Sequence, residues 1–267
     1  MYFREKTKVM ITFKLLEQFP EIIHFSTTRH NGKGVGNYKS FNLSPNVGDA
    51  EEDYLFNKYK LCKALKINPE QLITPFQTHE TNIREINQDF SRLSDDDKQK
   101  YLYGVDALVT HEKNVCIGIA TADCVPMLCY DPVQKVIAAI HSGRKGTCER
   151  ISEKVIDYLK EKYKSKPSDI YFTLAPCISV DAYEVGEELI EYFEKNNFPV
   201  NLIFQRKTGK RCLDLKKANE WLLIQNGILA GKIEVSPLCT YTNHQDFFSA
   251  RRLGIKSGRM LTGVMMK

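Results

Sequence analysis

The sequence lacks several features that would place the protein in a specialised class. Its eight cysteines include no C-x-x-C pair, which argues against a zinc ribbon and a thioredoxin-type redox site. Its first residues, MYFREKTKVM, lack the apolar core of a signal peptide, and no apolar run approaches the length of a transmembrane span. We therefore expect a cytoplasmic protein with reduced thiols and no membrane partner.

The charge of the chain is only weakly biased. The 38 basic and 33 acidic residues give a net charge of +5 and are scattered along the sequence. This bias is too small to indicate a nucleic-acid partner, although it suits a small anionic ligand. No Pro-, Gly- or Ser-rich linker divides the 267 residues, so we expect one domain over 1–267.

The most informative stretch runs from Gly118 to Gly146 and reads GIATADCVPMLCYDPVQKVIAAIHSGRKG. It contains two apolar runs separated by an Asp-Pro break, a pattern that predicts a β-hairpin rather than a helix. Cys124 precedes the first of these runs, and His141 follows the second. Both side chains are therefore expected near strand ends.

Flanking segments supply the other predicted elements. The spacing of apolar residues predicts a helix over 50–66, begun by a capping box of Asp49 and Glu52. Leu72 to Phe76 resembles a strand that leads directly to His79 in the sequence QTHET. Further strands are predicted over 105–110, 115–120 and 170–174 and at Phe247-Phe248. A hairpin is predicted over 201–206 and 211–213, and a surface loop over 89–99. Two more helices are predicted to begin at the capping residues Thr147 and Asp214. Short strands that interleave with helices in no strict alternation favour an α+β fold with mixed sheets.

Three candidate metal ligands emerge from this arrangement. His79, Cys124 and His141 provide two imidazoles and one thiolate, each predicted at a strand end. Two histidines and one cysteine bind zinc well, and three protein ligands leave a fourth position for water or substrate. The same ligand set also suits a single copper ion, which we consider a second choice to Zn²⁺.

The order of several motifs resembles that of the YfiH-like family, also called the laccase-domain or polyphenol oxidase family. The motifs are STTRHNGKG, FNLSPNVGD, QTHE, TADCVPMLCYDP, AAIHSGRKGT, DAYEVGEEL and CTYTNHQDFFSARR. The resemblance covers nearly the whole chain and implies mixed β-sheets packed together with helices on the outside. It also implies zinc at His79, Cys124 and His141, and phosphorolysis of adenosine, inosine, guanosine and S-methyl-5'-thioadenosine, with adenosine deamination as a second reaction.

Other residues receive roles from the same resemblance and from their charge. Purine nucleosides and phosphate are the expected partners, and Arg29, Lys145 and Arg251 are candidates to bind phosphate or ribose. Asp123 is a candidate acid or base, or a residue that orients a ligand. The chain departs from the family after its second histidine, where Arg144 stands in place of a usual Trp. Base stacking that the family assigns to that Trp is therefore not expected at this position.

Alternative functions use the same residues. A laccase with a trinuclear copper cluster needs paired histidines, whereas this chain has six histidines and no H-x-H. A copper phenol oxidase with one metal ion and a metal-independent hydrolase with Cys124 as nucleophile and His141 or His79 as base stay open. A zinc-stabilised binding protein without activity is disfavoured, because polar or basic groups flank each ligand.

Overall fold

Two mixed β-sheets lie face to face at the centre of the structure, a computed structural model that describes residues 9–207 and 209–267. The first sheet has the order β1 (Met10–Ile11), β2 (Ile22–Thr27), β13 (Met260–Met266), β6 (Cys116–Thr121), β3 (Leu72–Ile73). The second has the order β12 (Ile233–Val235), β9 (Tyr171–Leu174), β7 (Val125–Asp131), β8 (Val136–Ser142), β5 (Ala107–Thr110), β4 (Ile83–Glu85). Each sheet contains both parallel and antiparallel pairs.

Strand β8 shows why its apolar run is continuous rather than alternating. Ile137 and Ala139 face the core between the two sheets, whereas Ala138 and Ile140 face the helices on the other side. Successive side chains of a strand point to opposite faces, so a strand covered on both faces needs apolar residues at every position. The predicted hairpin is confirmed, with Pro126 paired to His141 in its register.

Helices cover the outer faces of both sheets. Helix α1 (Glu51–Leu65) packs Leu61 and Leu65 against the first sheet, and α5 (Ile151–Tyr163) and α8 (Leu215–Gln225) pack against the second. The other helices are α2 (Gln88–Arg92), α3 (Asp95–Leu102), α4 (Arg144–Cys148), α6 (Glu188–Lys195), α7 (Val200–Ile203) and α9 (Ala250–Leu253), and a hairpin pairs β10 (Phe204–Lys207) with β11 (Lys210–Leu213). The predicted fold class is confirmed: α+β, with mixed sheets packed together and helices outside.

Of three predicted helix starts, one agrees with the structure and two do not. Asp214 caps α8 as predicted, because its carboxylate accepts a hydrogen bond from the Lys217 N–H at 2.9 Å. The capping box before α1 was a wrong prediction, because Asp49 instead accepts from Asn42. Thr147 lies inside α4, and α5 begins after Arg150.

Other predictions also failed at the level of single segments. The acidic stretch predicted as a loop forms α2 and α3, and Ser94 caps α3 by accepting from the Asp97 N–H. Three aspartates in the first turn of a helix are stabilised by the helix dipole. Phe247 and Phe248 are buried in an irregular segment rather than in a strand, and β3 ends at Ile73.

Residues 1–8, on which the expectation of no leader sequence rests, fall outside the described residues, and so does Thr208. Among the residues that the structure describes, the helices are all too short or too polar to cross a bilayer.

Candidate active site

Three segments bring the predicted metal ligands together at one end of the second sheet. His79 lies in the loop after β3, Cys124 immediately precedes β7, and His141 lies on the neighbouring strand β8. Their ligand atoms are all within 4.8 Å of one another. The two imidazole rings meet edge to face, with 4.7 Å between their centroids. The three residues therefore form one cluster, which we call the His-Cys-His triad.

A buried carboxylate that the sequence analysis missed supports this triad. Asp106, just before β5, accepts a hydrogen bond from His141 Nδ1 at 2.6 Å. It also accepts from the backbone N–H groups of Thr78, His79 and Glu80, at 3.3, 3.1 and 2.8 Å. One side chain thus orients the ring of His141 and holds the loop that carries His79, whose φ of 62° is unusual for a residue with a side chain.

The protonation of the triad follows from burial and mutual charge. Burial raises the pKa of the Cys124 thiol, but the charges and hydrogen bonds of His141 and His79 outweigh it and bring that pKa to about 6. Burial lowers the pKa of His141, but Cys124 and then Asp106 raise it to about 9. Without a metal the site therefore holds a thiolate beside an imidazolium at neutral pH.

Asp106 stays ionised beneath this pair. Burial raises the pKa of its carboxyl group, but the hydrogen bond and charge of His141 and the backbone N–H groups of Glu80 and Thr78 bring it below the ordinary value. A carboxylate that accepts several N–H donors is stable in its charged form even when it is fully buried.

The absence of a side chain at Gly143 leaves space beside the triad. A Cβ atom at this position would lie 3.0 Å from His79 Nδ1 and 3.1 Å from Cys124 Sγ. Gly143 has ordinary extended backbone angles, so the requirement is one of space and not of backbone freedom.

The donor set and its surroundings fit a zinc ion. Two imidazole nitrogens and one thiolate are zinc's preferred protein ligands, and Asp106 supplies the carboxylate that commonly supports a metal-bound histidine. Three ligands correspond to the open arrangement of a catalytic centre.

A cavity of about 270 Å³ reaches the triad from solvent. This volume is slightly below about 300 Å³, the lower limit of the range that is typical of small-molecule sites. The lining combines the three triad residues with polar, apolar and basic groups: Ser44, Asn46, Val47, Pro75, Phe76, Gln77, Ala120, Thr121, Ala122, Ala250, Ile255 and Arg259. A ligand in the cavity can therefore contact the metal ligands and a cation at once.

Asp123 lies beside Cys124 in the chain, and its carboxylate is fully engaged. It accepts hydrogen bonds from Thr240 Oγ1 at 2.6 Å, Ser249 Oγ at 2.9 Å and the Arg251 N–H at 2.7 Å. These bonds fasten the segment from Thr240 to Arg251 against the start of β7. The Asp123 carboxylate thus positions the segment from Thr240 to Arg251 beside Cys124.

The predicted phosphate-binding cations occupy different surroundings. Arg29 donates to the carbonyls of Lys39 and His244 and lies over the Phe248 ring, outside the cavity lining. Lys145 Nζ forms an ion pair at 2.6 Å with Oε1 of Glu80, which is the residue after His79. Arg251 donates to the Glu184 carbonyl and lies over the Tyr183 ring.

Two further arginines lie close to the site but were not predicted from the sequence to bind phosphate. Arg259 lines the cavity and donates to the carbonyls of Ser257, Gly258 and Ile255. Arg144 begins α4 directly after Gly143, where a Cβ atom would contact the triad. Burial and Cys124 raise the pKa of Tyr183, whereas Arg144 and Arg251 lower it. Within the described part of the chain, the Arg144 guanidinium has no hydrogen-bond acceptor. The basic SGRKG and GRM motifs were the available signals.

Comparison with known proteins defines the class to which this fold and site correspond. The sequence model of a family described as multi-copper polyphenol oxidoreductase laccase matches residues 23–267. The chain therefore belongs to this family, and the YfiH-like resemblance is confirmed.

Particular relatives come from several bacteria. A purine nucleoside phosphorylase from Bacteroides thetaiotaomicron is 42% identical, with 98% of this chain and 97% of the relative covered. The adenosine deaminase RL5 from an unknown prokaryotic organism is 38% identical over 91% of this chain and 93% of its own length. The crystal structure of the Bacillus licheniformis hypothetical protein YfiH superposes with a TM-score of 0.90 at 30% identity and covers 99% of both chains.

Proposed function

We propose that the protein is a zinc-dependent purine nucleoside phosphorylase that also deaminates adenosine. The observation that carries this proposal is the open His-Cys-His triad at the base of a cavity lined by a cation. Relatives named as a purine nucleoside phosphorylase and an adenosine deaminase support it. The proposed substrates are adenosine, inosine, guanosine and S-methyl-5'-thioadenosine with phosphate.

The proposed chemistry assigns separate tasks to the metal ligands and the cations. Zinc held by His79, Cys124 and His141 would supply Lewis-acid chemistry and a water activated at neutral pH. In phosphorolysis, a phosphate oxygen bonds to C1′ of the ribose while the C1′–N9 bond breaks, and the purine leaves with the electron pair and takes up a proton. In deamination, water replaces the amino group at C6, and ammonia leaves. Asp106 keeps His141 oriented in both reactions.

A cytoplasmic location belongs to the same proposal. All eight cysteines are free, and seven of them are buried. Unpaired cysteines are typical of proteins kept in a reducing compartment.

A metal-independent cysteine hydrolase is the second candidate. The observation in its favour is the low pKa of Cys124, which makes it a thiolate beside the imidazolium of His141. The two candidates differ in their need for a metal, because a hydrolase would retain its activity after chelation and the proposed phosphorylase would lose it.

The proposed function predicts a phosphate-dependent choice of product. We expect adenosine to give adenine and ribose 1-phosphate with phosphate present, and inosine with phosphate absent. Removal of zinc by a chelator should lower both rates by more than about 100-fold, because a catalytic metal stabilises the transition state by several kcal/mol. Added zinc should restore them. Product analysis by chromatography measures both reactions.

Two results would return us to the alternatives. Oxidation of phenols without any nucleoside turnover would favour a copper oxidase. Hydrolytic activity that survives complete chelation and disappears in Cys124→Ala would favour the cysteine hydrolase.

The phosphate site is expected among the cations around the triad. One charge-assisted contact to phosphate contributes about 1.5–3 kcal/mol. Its loss should therefore raise the KM for phosphate by about 10- to 100-fold and leave the zinc content unchanged. The variants to compare are Arg29→Ala, Arg144→Ala, Lys145→Ala, Arg251→Ala and Arg259→Lys.

Arg252→Ala provides the matched control for this series. Arg252 follows Arg251 directly, but it donates to the Tyr241 carbonyl and lies over the Tyr241 ring. We expect its removal to leave the phosphate response intact. If all five variants respond to phosphate like the parent, the anion site lies elsewhere, and this part of the proposal is wrong.

A further inference from the structure

Two aromatic side chains stack on one another at the cavity that reaches the triad. The rings of Phe76 and Tyr103 lie 4.9 Å apart between centroids, with an angle of 24° between their planes. Phe76 lines the cavity together with His79. Phe76 is 38% exposed and Tyr103 is 64% exposed. An exposed aromatic stack beside a polar centre offers a surface that a flat aromatic ligand can cover.

The backbone holds this stack in place. Phe76 donates its N–H to the Leu102 carbonyl at 3.0 Å, and its own carbonyl accepts from the N–H groups of Gly104 and Val105 at 2.9 and 3.3 Å. These bonds pair the segments of Phe76 and Tyr103 side by side in an isolated parallel β-bridge. A ring that lies on a fixed backbone and already stacks on a neighbouring ring loses little conformational freedom when a ligand binds, which favours binding.

The surroundings of Phe76 indicate contact by stacking rather than by hydrogen bonding. The next residue, Gln77, also lines the cavity, but its amide is bonded to the N–H and carbonyl of Ala120 at 2.8 and 2.9 Å. Val47 and Ile255 add apolar surface to the same cavity, and Ile255 is 80% exposed. The part of the cavity that Phe76 lines is thus suited to the face of a ring.

We infer that the purine base of the substrate stacks on the Phe76 ring, with Tyr103 supporting that ring from behind. This inference rests on the proposed function and assigns the part of the site that recognises the base. Stacking is tolerant of ring substituents, since every base has an aromatic face. The platform therefore accepts adenine, hypoxanthine and guanine alike, while the triad and the cations contact the reacting atoms.

The reverse reaction, from adenine and ribose 1-phosphate, separates base recognition from the other contacts. Phe76→Leu removes the ring but keeps apolar volume. It should raise the KM for adenine by about 5- to 150-fold, the range expected for loss of one base–aromatic stack. The KM for ribose 1-phosphate and the zinc content should stay unchanged. Phe76→Trp preserves an aromatic face and should keep the adenine KM close to that of the parent.

Tyr59→Leu is the matched control, because it removes an exposed aromatic ring from the outer helix α1. Failure of the proposed function and failure of the stacking inference give different experimental results. A parent protein that neither binds adenosine in calorimetry nor converts any purine overturns the proposed function together with this inference. An active parent whose Phe76→Leu variant has an adenine KM within twofold of its own overturns the stacking assignment alone.

Discussion

Cys124→Ser is expected to abolish both zinc retention and nucleoside turnover. Serine has nearly the same size as cysteine, but its hydroxyl stays protonated at neutral pH and is a poor zinc ligand. Changes in residues that merely support a metal ligand lower metal affinity or activity by 10- to 100-fold in general, so loss of the ligand itself should exceed about 100-fold. Metal analysis after dialysis and the phosphorolysis rate give the two readouts.

Cys212→Ser makes the same atomic change on the β10–β11 hairpin, where Cys212 is buried outside the cavity lining. We expect this control to keep its zinc and its activity. His141→Ala and His111→Ala form a second pair, since His111 lies outside the triad and its ring contacts Tyr163. Full zinc occupancy in Cys124→Ser or in His141→Ala would show that the metal assignment is wrong.

Asp106→Asn should weaken zinc binding even though Asp106 does not belong to the triad. The amide keeps the shape of the carboxylate but has an NH2 group in place of one oxygen. Because NH2 is a donor, it cannot accept the hydrogen bonds that the surrounding N–H groups donate to that oxygen. We expect a loss of about 10- to 100-fold in zinc affinity and turnover, as found for residues that support metal ligands. The free energy of unfolding should fall by about 1–3 kcal/mol for each buried donor left unpaired.

Asp131→Asn separates the positioning role of Asp106 from simple stability. Asp131 is also fully buried, and its carboxylate accepts hydrogen bonds from the backbone N–H groups of Val133 and Gln134. It is the last residue of β7, whereas Cys124 precedes the first residue of that strand. Its amide variant should lose stability without a change in zinc affinity. Equal zinc affinities for the Asp106→Asn variant and the parent, measured by competition with a chelator, would contradict the positioning role.

Local sequence patterns and the family resemblance together indicated the triad. Cys124 and His141 lie at the ends of the paired strands β7 and β8, as predicted, whereas His79 lies beyond the end of β3 in a loop that Asp106 holds. Asp106 was missed because its role depends on tertiary structure. Its only local signal is a single acid at the entry to the apolar strand VDALVT. Nothing in that pattern specifies that its partners lie near residues 79 and 141.

The failed segment predictions have physical causes of the same kind. The acidic run at the start of α3 is also typical of a solvated loop, although a serine followed by three aspartates is a helix start. Phe247 and Phe248 have high strand propensity, but burial in an irregular segment satisfies their apolar surface equally well. Arg259 binds loop carbonyls and lines the cavity only because β13 lies between β2 and β6.

The hydrogen bonds of Asp106 also determine when the metal site comes into existence. One carboxylate joins the loop of His79 to the ring of His141, and neither segment is close to the other in the chain. The three ligands are spread over residues 79–141, so they converge only after β7 and β8 have paired and the His79 loop has docked. If the protein binds zinc as proposed, high-affinity binding would be a property of the folded chain, and zinc would shift the folding equilibrium toward the native state by mass action.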